Sequence, residues 1–422
     1  MMGRYTYLKL TMILMIFLVV AVIPHSVCMA DEEIKYETIE EIKLRPMPEA
    51  LRHETEPKPD LTGREILSLE EAMDIAYRYN PSLRKVALEL DRAEVLRDLA
   101  AQSITLLPTE DILVTPSGKA MINNFEQADI NWKAKKKVSE SEKQRIEKEV
   151  INAYAEAIKS ANQIEIARRQ LKDIKEQNRV HQVATVYGVM SNMDLNSSKI
   201  GVEQVEEGLK AAESAHEMAM SSLRNLLNQG PNWNPVLTSQ PIADSFTRPE
   251  IWLSLSRAQN QSIMMLQAES LYEIEQRKIF WGLGPTEDDP YMDSINLVLR
   301  ELDVEQARRD TRSTVESLYH NIDVVEKRIA LAETILKQKE QDFQLAKLRY
   351  ELGIIPYRSL NPTETSMASA QLAVDKAKLE LVNLRADLVI LRAGFGYLIG
   401  EQVYSNLDWY DPGQYKTVDR ED

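Results

Sequence analysis

His181, His216 and His320 are the side chains in this sequence best suited to bind a metal or move a proton. His181 and His216 fall on an apolar seam, at different distances from the turn between its two limbs. They should not meet around one ion, and a hydrogen-bonded histidine inside a helical pair fits the spacing better than a metal ligand. His320 follows Tyr319 on a helix and is expected at the surface. Met190, Met193, Met264 and Met265 offer thioethers, but their placement suits adaptable packing rather than a copper site. Glu287, Asp288 and Asp289 are the nearest thing to a carboxylate cluster. They lack the alternating spacing of a calcium loop and fit a solvated turn. No Gly-rich phosphate loop and no nucleophile motif stands out. The expectation is a protein that is not an enzyme and holds no cofactor and no metal.

A seam needs limbs to carry it. From Val315, apolar residues recur at alternating steps of three and four through Ile322, Val325, Ile329, Ala332, Leu336, Phe343 and Ala346 to Tyr350, with Lys339 the polar member. After a Gly-Pro tip at Gly353 to Pro356, the pattern returns through Leu360, Thr363, Met367, Val374, Leu381, Leu388 and Phe395 to Leu398. A seven-residue period kept over about five heptads per limb is a coiled-coil seam. Each limb spans roughly 55–60 Å at about 1.5 Å per residue. The same register occurs 165 residues earlier. Val150, Ala157, Ile164, Leu171 and Ile174 climb, and Leu195, Val202, Leu209, Ala212 and Leu223 return, with Ser160 polar. Tyr319 falls on Tyr154, Gly353 on Gly188 and Leu360 on Leu195. The first seam is rich in Ala and the second in Leu and Ile. The expected fold class is all-α, a duplicated long antiparallel coiled-coil hairpin.

A net charge of −15 over 422 residues argues against nucleic acid as a partner. The one basic run, Lys133 to Lys137, is short, sits just before an expected helix and reads as a solvated face. Residues 1–30 look like an export signal, with Arg4 and Lys9, an apolar core from Leu10 to Ile23, and a small-residue exit at Cys28-Met29-Ala30. An uncleaved anchor and lipidation of Cys28 are the alternatives. A mature chain without Cys28 has no cysteine and is held by packing alone.

Residues 31–62, with Pro46, Pro48, Pro57 and Pro59, read as an extended or disordered arm. A first repeat is expected over 63–229, with its hairpin at 138–229 and tip near 188. A linker follows at 230–247, with a possible strand at Val236 to Ser239. The second repeat covers 248–400, with its hairpin at 298–398 and tip near 353, and a tail fills 401–422. Each repeat opens with a short helix. The first, Ser68 to Tyr79, is capped by Ser68 and broken at Asn80-Pro81. Asn260-Gln261-Ser262-Ile263 matches Asn80-Pro81-Ser82-Leu83 at an offset of 180, so 15 extra residues lie between leading helix and hairpin in the first copy. That variable segment, Ser103 to Lys137, holds two weakly strand-like pieces, Ile104–Leu107 and Asp111–Thr115; its counterpart is Leu283 to about Asp293.

A short helix ending in Asn-Pro, a long helix, a variable segment and a long hairpin, all duplicated, resembles the TolC-type outer-membrane efflux family. Leu69-Glu70-Glu71-Ala72, Asn80-Pro81-Ser82-Leu83 and the two tips carry the resemblance. It implies a homotrimer whose hairpins form a hollow tube, exported to the outer membrane or periplasm. The tips would dock a periplasmic adaptor (membrane fusion) protein and an inner-membrane pump. Gly188 and Gly353 match the family's turn glycines, with Ser191 and Pro356 beside them as tip residues. Tyr350 and Asp194 match a Tyr and an Asp that hold the mouth closed; alternatively Tyr350 ends the seam and Asp194 caps the return helix. Acidic residues that ring the mouth in some members correspond to Ser359 and Pro362 here. The family's barrel takes two strands from each variable segment, and a membrane strand needs about 9–11 alternating residues. Neither segment supplies that, so barrel strands are expected to be reduced or absent. An exported coiled-coil scaffold of the same ancestry without a pore is the second functional expectation.

Overall fold

The two seams fold as two helical hairpins, and everything else is built onto them. The computed structural model describes residues 66–105, 115–241, 249–281, 290–359, 366–401 and 409–410, all within the contact unit Pro48–Asp422. The expected signal and arm, the tail beyond Tyr410, Leu106–Leu107 and Asp111–Val114 of the strand-like pieces, the Glu287–Asp289 turn, and Leu360, Pro362 and Thr363 lie outside these residues; Ile104 and Thr105, read as strand-like, instead end a helix.

In chain order the elements are β1 (Ile66–Leu67), α1 (Leu69–Tyr79), α2 (Pro81–Thr105), α3 (Pro116–Val186), α4 (Asn192–Leu226), β2 (Val236–Leu237), β3 (Gln240–Pro241), α5 (Ile251–Gln261), α6 (Ile263–Phe280), α7 (Pro290–Glu351), α8 (Met367–Ile399) and β4 (Trp409–Tyr410). β1 pairs in parallel with β2, and β3 antiparallel with β4. Hairpin α3–α4 packs against hairpin α7–α8 mainly through α3 and α8, while α2 runs along α3 and α6 along α7.

The starts and stops follow local chemistry. Ser68 and Glu71 form a reciprocal capping box on α1. Asn80 ends that helix, donates its amide to Leu226 O (3.1 Å) and accepts from Ser82 N–H (2.9 Å), which ties the break to the end of α4. In the second copy this role falls to Ser262, not Asn260. Asn260 lies inside α5, while Ser262 separates the helices, caps α6 through Met265 N–H and bonds the Thr311 hydroxyl at 3.2 Å. With Gln261 in place of proline the first helix runs on to that residue, and the next serine hydroxyl supplies the cap.

Three boundaries differ from the sequence expectations. The first long helix begins at Pro116 rather than 138. Thr115 caps it by accepting from Gly118 N–H (3.1 Å), and a proline at the first helical position sacrifices only an N–H that had no partner. The basic run therefore lies well inside α3, where Lys135 reaches Glu89 and Lys133 reaches Asp129. The second long helix begins at Pro290 rather than 298. The last return helix begins at Met367 rather than near Leu360, with Ser366 and Ser369 forming its capping box.

The last shift exposes a change of register. Across α3–α4, ion-pair partners Lys175–Glu206 and Arg168–Glu213 each sum to residue number 381. Across α7–α8, Lys378–Glu340, Arg385–Glu333 and Arg392–Glu326 each sum to 718. Moving both limbs by the copy spacing of 165 carries 381 to 711, so the second hairpin holds seven residues more, one heptad. A seven-residue slip returns every seam residue to the seam.

Two cores hold the hairpins. In the first, Leu69, Ala72, Met73 and Ala76 of α1 pack against Ile146, Val150, Ile151 and Tyr154 of α3, with Leu223, Leu227 and Trp233. The buried Tyr154 hydroxyl donates to Leu67 O (2.9 Å) and accepts from Ser239 N–H (3.1 Å), joining β1 and the linker to the hairpin. In the second, Val315, Ile322, Val325 and Ile329 of α7 meet Leu381, Leu388, Phe395 and Ile399 of α8, with Ala258 of α5.

Helix occupies the ground where barrel strands were in question. α2 runs to Thr105 and α3 starts at Pro116; α6 runs to Phe280 and α7 starts at Pro290. The stretches 106–114 and 282–289 offer nine and eight residues, too few for two strands of about 9–11. The fold is an all-α hairpin pair with a reduced barrel, as expected. No described helix is long and apolar enough to cross a membrane.

Candidate functional site

Both hairpins turn by the same backbone device. At the first tip, Val189 N–H bonds Ala184 O (2.9 Å) and Gly188 N–H bonds Thr185 O (3.0 Å). At the second, Ile354 N–H bonds Arg349 O (2.8 Å) and Gly353 N–H bonds Tyr350 O (2.9 Å). This paired closure needs a left-handed residue just past the helix, and Gly188 and Gly353 supply it at φ 71° and 68°. Nothing lies within 4 Å of where either Cβ would be, so the constraint is the backbone and not crowding.

Past the turn the tips diverge. The first takes five residues, Tyr187 to Ser191, before α4 resumes; the second takes fifteen, Leu352 to Ser366, before α8. Ser191 caps α4 by accepting from Asp194 N–H (3.1 Å), and its hydroxyl donates to the Asp194 carboxylate (2.7 Å). The described bonds of Asp194 thus stay within its own cap. Tyr350 packs its ring on Tyr357 at 5.8 Å. Within one chain the structure does not bring Asp194 and Tyr350 together. Pro356 lies in the second loop, and Ser359, at the site of a possible ring carboxylate, is buried.

The second loop is fastened to the first hairpin. Arg358 donates to both the Asp173 backbone oxygen (3.0 Å) and its carboxylate, and lies 5.7 Å from the Tyr357 ring. Tyr357 O accepts from Ala368 N–H (3.0 Å), closing the loop onto the start of α8. A polar ladder continues the fastening along α3 and α8: Arg169 with Asp375, Asn162 with Asn383 (3.2 Å), and Lys159 with Asp387 (2.7 Å). Burial works against the Lys159 charge, but hydrogen bonds to Asp387 and Glu156 outweigh it and hold its pKa above the ordinary lysine value. Sequence reasoning missed Arg358 and Asp173. The available signal was a basic residue two places after Pro356, between the tip and the return limb.

The tips also present apolar surface. Val186 and Tyr187 are 84% and 79% exposed, with Val183, Val189 and Met193 beside them. A shallow groove at the first tip is lined by Val180, Val183, Tyr187 and Val189, with Glu176 and Arg179 at its edge. The second tip exposes Leu348, Leu352 and Ile354.

The histidines stay apart. In the α3–α4 register, His181 faces about residue 200, sixteen residues from His216 and so roughly 24 Å along the helix. His181 is buried; His216 shares a 2.9 Å hydrogen bond with Ser160, and burial pushes its pKa below the ordinary histidine value. His320 is exposed beside Tyr319.

No family model and no curated protein matches the sequence. Solved structures do match. A membrane protein from Pseudomonas aeruginosa superposes with a TM-score of 0.56 at 13% identity, covering 79% of this chain and 90% of that one. The outer membrane protein VceC of Vibrio cholerae gives 0.52 at 15% identity, covering 79% and 96%. The CmeC outer membrane channel of Campylobacter jejuni gives 0.53 at 13% identity, covering 81% and 90%. At these identities the likeness is one of fold.

Proposed function

We propose that this chain, which carries the TolC-type helical fold, is the outer component of a tripartite efflux or secretion system of the cell envelope. Three copies form a helical conduit, the hairpin tips dock a periplasmic adaptor served by an inner-membrane pump, and substrates pass outward. The observation that carries the reading is the pair of glycine-turned tips with uncovered apolar side chains at Val186, Tyr187, Leu352 and Ile354. Adjoining exposed apolar residues of this size mark interaction sites on soluble surfaces. Gly188, Ser191, Asp194, Tyr350, Gly353 and Pro356 belong to that docking end. Asp194 and Tyr350 act across neighbouring hairpins of the assembly, while Arg358 and Asp173 hold the second loop against the first hairpin.

Replacing Gly188 or Gly353 with valine forces a β-branched residue into the left-handed region, at a cost of about 1–2 kcal/mol. The expected result is loss of adaptor capture from crosslinked cells with helicity unchanged by circular dichroism. Undiminished capture by both variants would show that the tips are turns and nothing more.

A second reading, an exported scaffold without a pore, is favoured by the helix that occupies 116–137 and 290–293, where barrel strands were in question. Cell fractionation separates the two. A conduit sediments with the outer membrane and accumulates cargo inside the cell when deleted; a scaffold leaves export unchanged.

A further inference from the structure

The two glycine turns do not stand at the same level. Across α3 and α8 the polar ladder pairs Arg169 with Asp375, Asn162 with Asn383 and Lys159 with Asp387, numbers that sum to 544, 545 and 546. Across α7 and α8 the ion pairs sum to 718. Residue 180 of α3 is therefore level with Gly353 of α7. Gly188 stands eight residues farther along, about 12 Å at 1.5 Å per residue. The second tip falls short by close to one heptad.

The second hairpin has a further alignment in which that heptad is recovered. Glu326, Glu333 and Glu340 recur every seven residues on α7, as do Lys378, Arg385 and Arg392 on α8. Advancing α7 by seven residues toward the tip re-forms two of the three ion pairs, Glu333 with Lys378 and Glu326 with Arg385. Every seam residue meets a seam position again. The upper seam gains by it. An open groove of about 760 Å³ runs there between residues 337–344 and 371–378, with Phe343 and Val374 in its lining. The advance puts Ala332 and Leu336 near Val374, where Lys339 and Phe343 now stand. The lower seam loses, because Phe395 exchanges the Tyr319 ring, 6.2 Å away, for Arg312. That loss keeps the alignment of this structure the major one.

The ties of the molecule make α7 the limb that moves. α8 is held to α3 by the ladder and to α5 by Glu401 on Arg257. α7 meets the break between α5 and α6 through one hydroxyl contact, Thr311 with Ser262 (3.2 Å). Fifteen residues, Leu352 to Ser366, join its end to α8 and supply slack. The first hairpin has five, and a shift of seven would keep one of its two ion pairs and part Ser160 from His216.

We propose that the second hairpin is a register switch: α7 also occupies a less populated position, advanced by one heptad, in which Gly188 and Gly353 come level. Packed helices pass one another in whole steps when like side chains interlock at each stop. In the advanced position the apolar residues of both tips reach one height, so a partner spanning the two selects it. That consequence rests on the tips being the docking end; the two positions do not.

The test uses the full chain in cells, with Cys28→Ser and one pair of introduced cysteines, treated with a short bis-maleimide. Glu333→Cys with Arg385→Cys should join in the present alignment. Glu333→Cys with Lys378→Cys, now about 10 Å out of level, should join in the advanced one, and the irreversible link lets the minor position accumulate. Lys175→Cys with Glu213→Cys carries the same one-heptad mismatch in the first hairpin and should not join. Gln371→Lys tunes the balance: residue 371 stands opposite Lys347 in the present alignment and opposite Glu340 in the advanced one. It should speed the 333–378 link about threefold or more. The proposal is overturned by a 333–378 link no faster than the 175–213 link, or by a rate that Gln371→Lys leaves unchanged or lowers. It is equally overturned by links that join two chains instead of one, or by failure of the 333–385 link. Adaptor capture through the tips is measured separately, so switch and docking end can each fail alone.

Discussion

The two hairpins share a seam, a turn and a tyrosine, yet solve the middle of the seam differently. Allowing for the extra heptad, Leu388 stands where the first copy has His216, and Phe395 where it has Leu223. Val325 stands where it has Ser160. The second copy fills that step with buried apolar side chains; the first uses a Ser160–His216 hydrogen bond. Apolar layers give adhesion, whereas a polar pair satisfies itself in one alignment only. The difference teaches that both hairpins mark their register with cross-limb ion pairs, and that the first adds a specific bond within the seam where the second has only apolar contact.

The largest test of that contrast removes the shared apolar layer. Phe395→Ala, at a fully buried site, should cost about 3–5 kcal/mol in denaturant unfolding, and Leu223→Ala about 2–5 kcal/mol. Equal and small losses would show that neither seam bears the stability of the chain. Next, Arg358→Ala should release the second loop at a local cost of about 1–2 kcal/mol, since a charge-assisted pair that is three-quarters covered is lost. Faster amide exchange over 352–359, with 187–191 unchanged, is the expected readout.

The smallest effect sharpens the comparison most. The folded His216 pKa lies below the unfolded value of about 6.5, so the unfolded chain binds its proton first. Stability is therefore full above that value and declines as pH falls through it towards the folded value. Ser160→Val with His216→Leu, the apolar arrangement of the other hairpin, should remove this decline and leave stability at pH 7.5 the same or slightly higher. Thermal unfolding at pH 7.5 and 5.5 measures both.

Hydrophobic period made the hairpins, their duplication and their turn glycines legible, because a heptad seam depends on side-chain type alone. It could not show the extra heptad, since a slip of seven residues preserves the pattern, and so it placed Leu360 on a helix that begins at Met367. Pro116 and Gly118 read as loop because the cap that makes them a helix start is a single hydroxyl, on Thr115. Of the site, Gly188 and Gly353 were visible as turn residues. Arg358 and Asp173 were not, because 185 residues of chain separate them and no local pattern joins them.

One helix packs on five of the other seven. α3 runs 71 residues without interruption, about 107 Å at 1.5 Å per residue, and packs on α1, α2, α4, α6 and α8. No break interrupts it between Thr115 and Tyr187, so a displacement applied near Val186 meets no loop in α3 along which to be absorbed before it reaches Glu126 and the Trp281 indole bonded to it.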